Sequence, residues 1–350
     1  MSVYSGMKAA SPPANTICDL RSDTVTRPDA AMLRAIAEAE VGDDVYGEDP
    51  EVNRLQAETA ELLGKEAGLF LPSGTQSNLV AVLSHCGRGD EVILGSAYHV
   101  YLHEAAGASV LGGVALYPLP VGPTGGVAPG DVTRAIKADD AHHPVSRLLS
   151  LENTVNGQAV PLADMRATTE AARAAGLSVH LDGARFFNAV AALGCEPADL
   201  AGLVDTVSVC LSKGLGAPVG SVLVGPADLI ARGLRLRKML GGGMRQAGIL
   251  AAAGRHALTQ NRAGLAGDHT RAARLAKALS DLGVGQVSHA TNMVFFTPAA
   301  GGHADLRAAL ASQGVVIGGQ SPSIRMVLHR DVDDAALDCA IAAFRAYYGG

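Results

Sequence analysis

Tryptophan is absent from this chain, and Phe and Tyr together supply only 4% of its 350 residues. A core must therefore be built from aliphatic side chains, chiefly Ala, Val and Leu. Charged residues reach 18% against 48% apolar, too little charge and too much apolar matter for a disordered chain. The net charge is −6 and the 28 Lys and Arg residues are scattered. No basic stripe interleaved with aromatics exists, which argues against a nucleic-acid partner. The five cysteines (Cys18, Cys86, Cys195, Cys210, Cys339) are odd in number and form no C-x-x-C pair. That pattern implies reduced thiols in a cytoplasmic protein, with neither a disulfide framework nor a metal site expected. Charges, Gly or Pro interrupt every apolar run before membrane-spanning length, so no membrane partner is expected. Residues 1–17 contain no apolar core of signal-peptide length and read as a flexible N-terminal extension.

What is present is alternation. Short β-type runs at 68–71, 91–95, 109–117, 147–151, 177–182, 205–211 and 219–224 are separated by helical patterns at 75–86, 99–106, 128–137, 162–175 and 184–193. Such alternation predicts βαβ units and a mostly parallel sheet. Residues 226–258 read as helices interrupted by G-G-G at 241–243. After about residue 266 come a long helix at 268–282, short strands, a Gly-rich stretch at 314–319, a strand at 324–328 and a helix near 333–347. The expected fold class is α/β: a mostly parallel central sheet in a large domain (18–265, with an N-terminal arm) and a smaller C-terminal α+β domain (266–350).

Ligands of open α/β sheets bind at the carboxyl ends of strands. There stand Ser73-Gly74-Thr75, Glu152-Asn153, Asp182 and Lys213. A lysine at the end of the apolar run T-V-S-V-C-L-S is costly unless its amine is used. Asp182, in L-D-G-A-R, could simply cap a helix, and Asp182 with Lys213 could be a structural ion pair. The same two groups are what pyridoxal phosphate requires: an amine for a Schiff base and an acid at the pyridine nitrogen. In P-S-G-T-Q-S-N a strand passes through Gly into a helix, which suits a phosphate.

Eight ordered stretches carry a closer likeness: D-L-R-S-D-T-V-T-R-P (19–28), V-G-D-D-V-Y-G-E-D-P (41–50), L-P-S-G-T-Q-S-N-L-V-A (71–81), L-L-S-L-E-N-T (148–154), H-L-D-G-A-R-F-F-N-A (180–189), C-L-S-K-G-L-G-A-P-V-G-S (210–221), R-K-M-L-G-G-G-M-R-Q (237–246) and T-N-M-V-F (291–295). With them the chain resembles the low-specificity L-threonine aldolases, pyridoxal-phosphate enzymes of the aspartate-aminotransferase fold type I. The resemblance implies pyridoxal 5'-phosphate bound as a Schiff base on Lys213, with Asp182 at its pyridine nitrogen. It implies Gly74 and Thr75 at the phosphate, and Arg245, with Lys238, at a neighbouring subunit's phosphate. His99 would stack on the ring, and Ser22, Arg185 and Arg325 would grip the substrate carboxylate, Arg185 also lying against the cofactor. His142 lies where the family carries a second active-site histidine, and His103 stands where relatives carry an aromatic residue.

The reaction implied is retro-aldol cleavage of L-threonine or L-allo-threonine to glycine and acetaldehyde, with His99 or His142 as base. The expected assembly is a homotetramer built from dimers with shared sites. Two rivals remain at this level. One is another reaction on the same scaffold, β-elimination or hydroxymethyl transfer; the other is a non-catalytic binding module.

Overall fold

The computed structural model describes residues 15–299, 301–318 and 322–349. Two compact units divide it: residues 28–212 with 217–262, and residues up to 27 with 213–216 and 263–350. The division differs from the expected one at the N-terminus. The arm before residue 28 groups with the C-terminal segment, and so does the short stretch that opens with Lys213. Of the extension expected over 1–17, residues 1–14 lie outside the described residues, and so does Gly319 of the Gly-rich stretch.

The larger unit is organised by a seven-stranded sheet. Its strands are β1 (Ala67–Leu71), β2 (Asp90–Gly95), β3 (Ala115–Leu119), β4 (Val145–Glu152), β5 (Ser178–Gly183), β6 (Thr206–Cys210) and β7 (Ser221–Gly225). Their spatial order is β1-β7-β6-β5-β4-β2-β3. The four neighbouring pairs among β2 to β6 are parallel, whereas β7 runs antiparallel to both β6 and β1. Every residue of β6 and β7 is buried, as expected of strands covered on both faces. Helices Pro50–Leu62, Gly74–His85, Leu162–Ala174 and Ala227–Met239 pack against the sheet.

Register aligns the polar residues at the carboxyl ends of these strands. Glu152 of β4 is paired with Asp182 of β5, and Asp182 with Ser208 of β6. One turn of pleat earlier, His180 of β5 is opposite Thr206 of β6. Side chains two apart on a strand share a face, so His180 and Asp182 point the same way.

One expected strand is corrected. The run 109–117 is not continuous: Gly107–Gly112 is a short helix, and β3 begins only at Ala115. Gly113, at φ +65°, ends that helix and lets the chain turn. The helix expected over 99–106 is also shorter, His99–Leu102, because Ala105 and Ala106 adopt φ +52° and +55°. The glycine run 241–243 closes helix Ala227–Met239: the Gly241 and Gly242 N–H groups donate to the Lys238 and Arg237 carbonyls. A Cβ on Gly242 would stand 1.9 Å from Gln76 Oε1, so a substitution there would have to displace the end of the Gln76 side chain.

The smaller unit contains an antiparallel sheet of β8 (Gly285–Ala290), β9 (Met293–Pro298) and β10 (Ile324–Val327), with β9 central. Helices Leu265–Leu282, His303–Ser312 and Asp334–Tyr348 complete it. Its core joins Leu275, Phe296, Leu306, Leu337 and Phe344, the two Phe rings meeting edge to face at 6.2 Å. The arm belongs here for a physical reason. Cys18–Asp19 pairs in parallel with Val315–Val316, the Leu20 N–H donates to the Val316 carbonyl, and the Leu20 side chain is fully buried in this core.

Candidate active site

Helix Gly74–His85 starts directly after β1. Ser73 caps it, its hydroxyl accepting the Gln76 N–H at 3.2 Å. The first backbone N–H groups of a helix have no partner within the helix and carry its positive end. Beside them is Ser221, the first residue of β7. A Cβ on Gly74 would lie 3.5 Å from Ser221 Oγ, and that hydroxyl is buried without any hydrogen-bond partner in the protein. Leaving such a group unpaired costs about 1–3 kcal/mol, so the place is built for a ligand acceptor. Helix start and orphaned donor together fit a phosphate, and this is the observation on which the pyridoxal-phosphate expectation can be tested in the protein.

The acid of the site is held with equal care. Asp182 is buried near the end of β5. Its Oδ1 accepts the Ala184 N–H at 2.9 Å, and its Oδ2 accepts from Asn78 Nδ2 at 2.8 Å. Gly183 follows because a Cβ there would come within 2.6 Å of the Ser208 carbonyl. Asn78 lies one turn after Gly74 on the same helix, so the helix start and the partner of Asp182 are fixed to one rigid element.

Asn78 also donates to Glu104 Oε1 at 2.8 Å, and the same Glu104 oxygen is 2.9 Å from His99 Nδ1. Burial raises the Glu104 pKa above the usual carboxylate value, opposed by the hydrogen bond from His99, while the Asp182 charge raises it further. The His99 backbone N–H donates to Glu152 Oε2 at 2.6 Å, which ties the short helix to the end of β4. His99 keeps 40% of its side chain exposed. His99, Glu104 and Asp182 offer donor atoms within 4.8 Å of one another. The Asn78 amide donates to both carboxylates, so the cluster is a hydrogen-bonded network and needs no cation.

Behind this cluster the network continues. His180 Nε2 is 3.2 Å from Asn78 Oδ1, and His180 Nδ1 is 2.9 Å from Thr206 Oγ1. His85 Nε2 reaches the same hydroxyl at 2.9 Å. Burial lowers the pKa of His180 to about 3 and of His85 to about 4, so both are neutral. Asn78, His180 and Ser221 lie within the matched stretches but carry no assigned role, and Glu104, Thr206 and His85 lie outside them. His180 and Asp182 on one strand face are the signal that could have drawn attention to them.

The remaining sequence-derived candidates fall as follows. Thr75 is exposed in the first helical turn. Arg185 is half-buried at the start of helix Phe186–Leu193. Lys213 is half-buried in the smaller unit, three residues of chain after β6, and its carbonyl accepts from Thr26 Oγ1 and the Gly216 N–H, both at 2.8 Å. Ser22, in that unit too, accepts the Thr24 N–H at 3.2 Å. Arg325 lies on β10 opposite Phe295. Arg245 is exposed and pairs with Asp43 at 3.1 Å, and Lys238 is exposed in the last turn of its helix. His103 meets His99 with ring centroids 5.4 Å apart.

His142 is not brought to this cluster. It precedes β4, exposed, with Nδ1 on Asp140 Oδ1 at 2.6 Å. The eight residues of β4 span roughly 25 Å and end at Glu152, beside Asp182, so within the larger unit His142 stands at the opposite end of the parallel strands.

A family model described as beta-eliminating lyase matches residues 19–300. The low specificity L-threonine aldolase of Escherichia coli (strain K12) is 50% identical over 329 residues, 94% of this chain and 98% of that one. A probable low-specificity L-threonine aldolase 2 of Arabidopsis thaliana is 42% identical, covering 94% and 97%. Among solved structures, a threonine aldolase of Leishmania major superposes with a TM-score of 0.78 at 21% identity, over 94% of this chain and 99% of that one. A serine palmitoyltransferase of Sphingomonas wittichii gives 0.73 at 18%, over 95% and 88%, which shows the fold alone. Matched over nearly its whole length, the chain belongs to the beta-eliminating lyase family and groups there with the low-specificity L-threonine aldolases.

Proposed function

We propose that the protein is a pyridoxal-phosphate-dependent L-threonine aldolase that cleaves L-threonine, L-allo-threonine and related β-hydroxy-α-amino acids to glycine and an aldehyde. The observation that carries this reading is the pairing, on one helix, of a phosphate cradle at Gly74 with the Asn78 amide that holds Asp182. When bound, the cofactor supplies an electron sink for breaking the Cα–Cβ bond. The chain supplies the rest. The helix start at Gly74 and Thr75, with the Ser221 hydroxyl, binds the phosphate. Asp182, kept an acceptor by two N–H donors, would pair with the pyridine nitrogen and favour its protonated form. Lys213 provides the amine that carries the cofactor.

Arg325, Arg185 and Ser22 hold the substrate carboxylate, which decides which bond at Cα is broken. His99 directs Nδ1–H at Glu104, so its Nε2 carries the lone pair that removes the β-hydroxyl proton. Its place in the cluster with Glu104 and Asp182 favours His99 over His142 as the base. Arg245 and Lys238 reach the phosphate of a neighbouring subunit, in a homotetramer built from dimers, and the protein works in the cytoplasm. Mixing Arg245→Ala with Lys213→Ala subunits tests the shared site: partial recovery supports it, and no recovery despite subunit exchange contradicts it.

The family description brings a second reading forward, β-elimination, which on threonine would give 2-oxobutanoate and ammonia. Incubation of the purified protein with L-threonine, without tetrahydrofolate, separates the possibilities. Acetaldehyde and glycine in equal amounts support the aldolase. Ammonia with 2-oxobutanoate identifies the eliminase, and strict dependence on folate identifies hydroxymethyl transfer.

A further inference from the structure

The polarity of the buried network can be assigned one bond at a time. Asn78 meets two carboxylate oxygens, on Asp182 and Glu104, both at 2.8 Å. Carboxylates accept, so the group facing them must be the amide NH2 and the carbonyl must point away. That carbonyl lies 3.2 Å from His180 Nε2, which must then carry a hydrogen. A neutral imidazole with a hydrogen on Nε2 has a bare Nδ1, which accepts the Thr206 hydroxyl hydrogen at 2.9 Å. The Thr206 oxygen is left to accept from His85 Nε2–H, also at 2.9 Å. Each donor meets an acceptor, and only one direction satisfies the whole chain.

Reversal of that direction would be costly. If the Asn78 amide turned over, its carbonyl oxygen would face two carboxylates, even with the His180 hydrogen moved to Nδ1 so that Nε2 accepted the NH2. His180 is fully buried and His85 half-buried, and burial lowers both pKa values enough to hold the rings neutral and keep one nitrogen of each as an acceptor. His180 and Thr206 are on adjacent strands in register, so their separation is set by the sheet and not by mobile side chains.

We propose that Asn78 is a positioning residue whose orientation, supported from behind by the chain His85–Thr206–His180, fixes two functional groups at once. One N–H holds Asp182 as an acceptor aimed at the cofactor's pyridine nitrogen. The other N–H occupies Glu104, which in turn directs His99 Nδ1–H inward and leaves His99 Nε2 as the accepting atom. A buried amide thus couples Asp182, which would pair with the cofactor's pyridine nitrogen, to His99. The charged and titratable groups packed around the coupling are Asp182, Glu104, His99 and Glu152, with Asp205, Asp228 and Arg232 around His85.

The inference rests on the aldolase reading for its functional meaning, but its test does not require turnover. Protein labelled with 15N-histidine and loaded with cofactor reports the tautomer of each ring through its nitrogen shifts. His180 should be neutral with hydrogen on Nε2 from pH 5 to 9. A hydrogen on Nδ1, or a protonated ring in that range, overturns the assignment whatever reaction the protein catalyses.

Thr206→Val then removes the hydroxyl donor with little change of shape, while Thr206→Ser keeps it. The valine variant leaves His180 Nδ1 without its donor, so the Nδ1 shift should move as that hydrogen bond is lost while the hydrogen stays on Nε2. Its apo-protein should bind pyridoxal phosphate about five- to tenfold more weakly, the loss of one hydrogen-bond constraint. The serine variant should match the unaltered protein in both respects. An unchanged Nδ1 shift together with unchanged affinity in a folded Thr206→Val would refute the coupling, and so would equal defects in both variants. Should Thr206→Val not fold, the tautomer of the unaltered protein still decides the proposal.

Discussion

Asn78 Nδ2 donates to Asp182 Oδ2 at 2.8 Å, and both residues are buried. The bond ties the helix that starts at the phosphate cradle to the acid at the end of β5. Asp182→Asn would set a second amide against that donor. Only one oxygen would remain for two N–H groups, and the negative charge needed to keep a pyridinium protonated would be gone. Turnover should fall by roughly 10²-fold or more, the scale of losing a preorganised electrostatic partner, while cofactor affinity falls less. Aldehyde release measured alongside cofactor retention checks this. A variant that loses cofactor but turns over normally when saturated would leave Asp182 as a structural cap.

Ser221 gives a prediction of opposite signs. Its hydroxyl is buried and unpaired within the protein, so Ser221→Ala removes an unsatisfied group. Melting of the apo-protein should be unchanged or slightly higher. Cofactor binding, measured by titration of the apo-protein, should weaken about five- to tenfold if the hydroxyl donates to the phosphate. Weaker apo-protein with unaltered binding would contradict the cradle.

Arg237 and Lys238 are neighbours in sequence and opposites in role. Arg237 is buried, reaching Asp44 at 2.6 Å and the Phe70 carbonyl at 2.9 Å, whereas Lys238 is exposed. Arg237→Ala leaves the buried Asp44 carboxylate without its cation and should cost about 3–5 kcal/mol. Lys238→Ala should stay within about 0.5 kcal/mol. Chemical denaturation of both apo-variants tests the contrast.

Asp268 makes stability depend on pH. Burial raises its pKa to about 7, although Arg271 Nη1 at 3.1 Å pulls the other way. A carboxyl whose folded pKa exceeds its unfolded value of about 4 binds more protons when folded, so its contribution to stability falls as pH rises between those two values. Asp268→Asn should remove that slope and stabilise the protein at pH 8 by on the order of 1–3 kcal/mol relative to its effect at pH 4. Urea unfolding at both pH values measures it. An unchanged slope would place the titration elsewhere.

Much of this architecture is legible in the chain because it follows from period and punctuation. Apolar runs ending in Asp182 or followed shortly by Lys213 mark strand ends, and P-S-G-T marks a strand passing into a helix. The run 109–117 misleads because Val110, Leu111, Val114 and Leu116 are equally apolar in a helix or a strand. Only the left-handed Gly113 separates the two. The network behind Asp182 is hidden for a different reason. Asn78, His180 and Thr206 come from three elements, and their meeting depends on strand register, which no local pattern records. His142 shows the converse: a motif can match while its residue stands at the far end of its strand from Glu152.

The central claim is that this chain breaks the Cα–Cβ bond of threonine by means of an amine at Lys213. The direct measurement is the stoichiometry of acetaldehyde and glycine formed from L-threonine by the purified, cofactor-loaded protein, beside a folded Lys213→Ala variant. The account predicts one acetaldehyde and one glycine per threonine without folate. It also predicts loss of at least about 10³-fold in the variant, whose cofactor should leave on dialysis. Substantial aldehyde release by Lys213→Ala, or products of elimination from the unaltered protein, would contradict it.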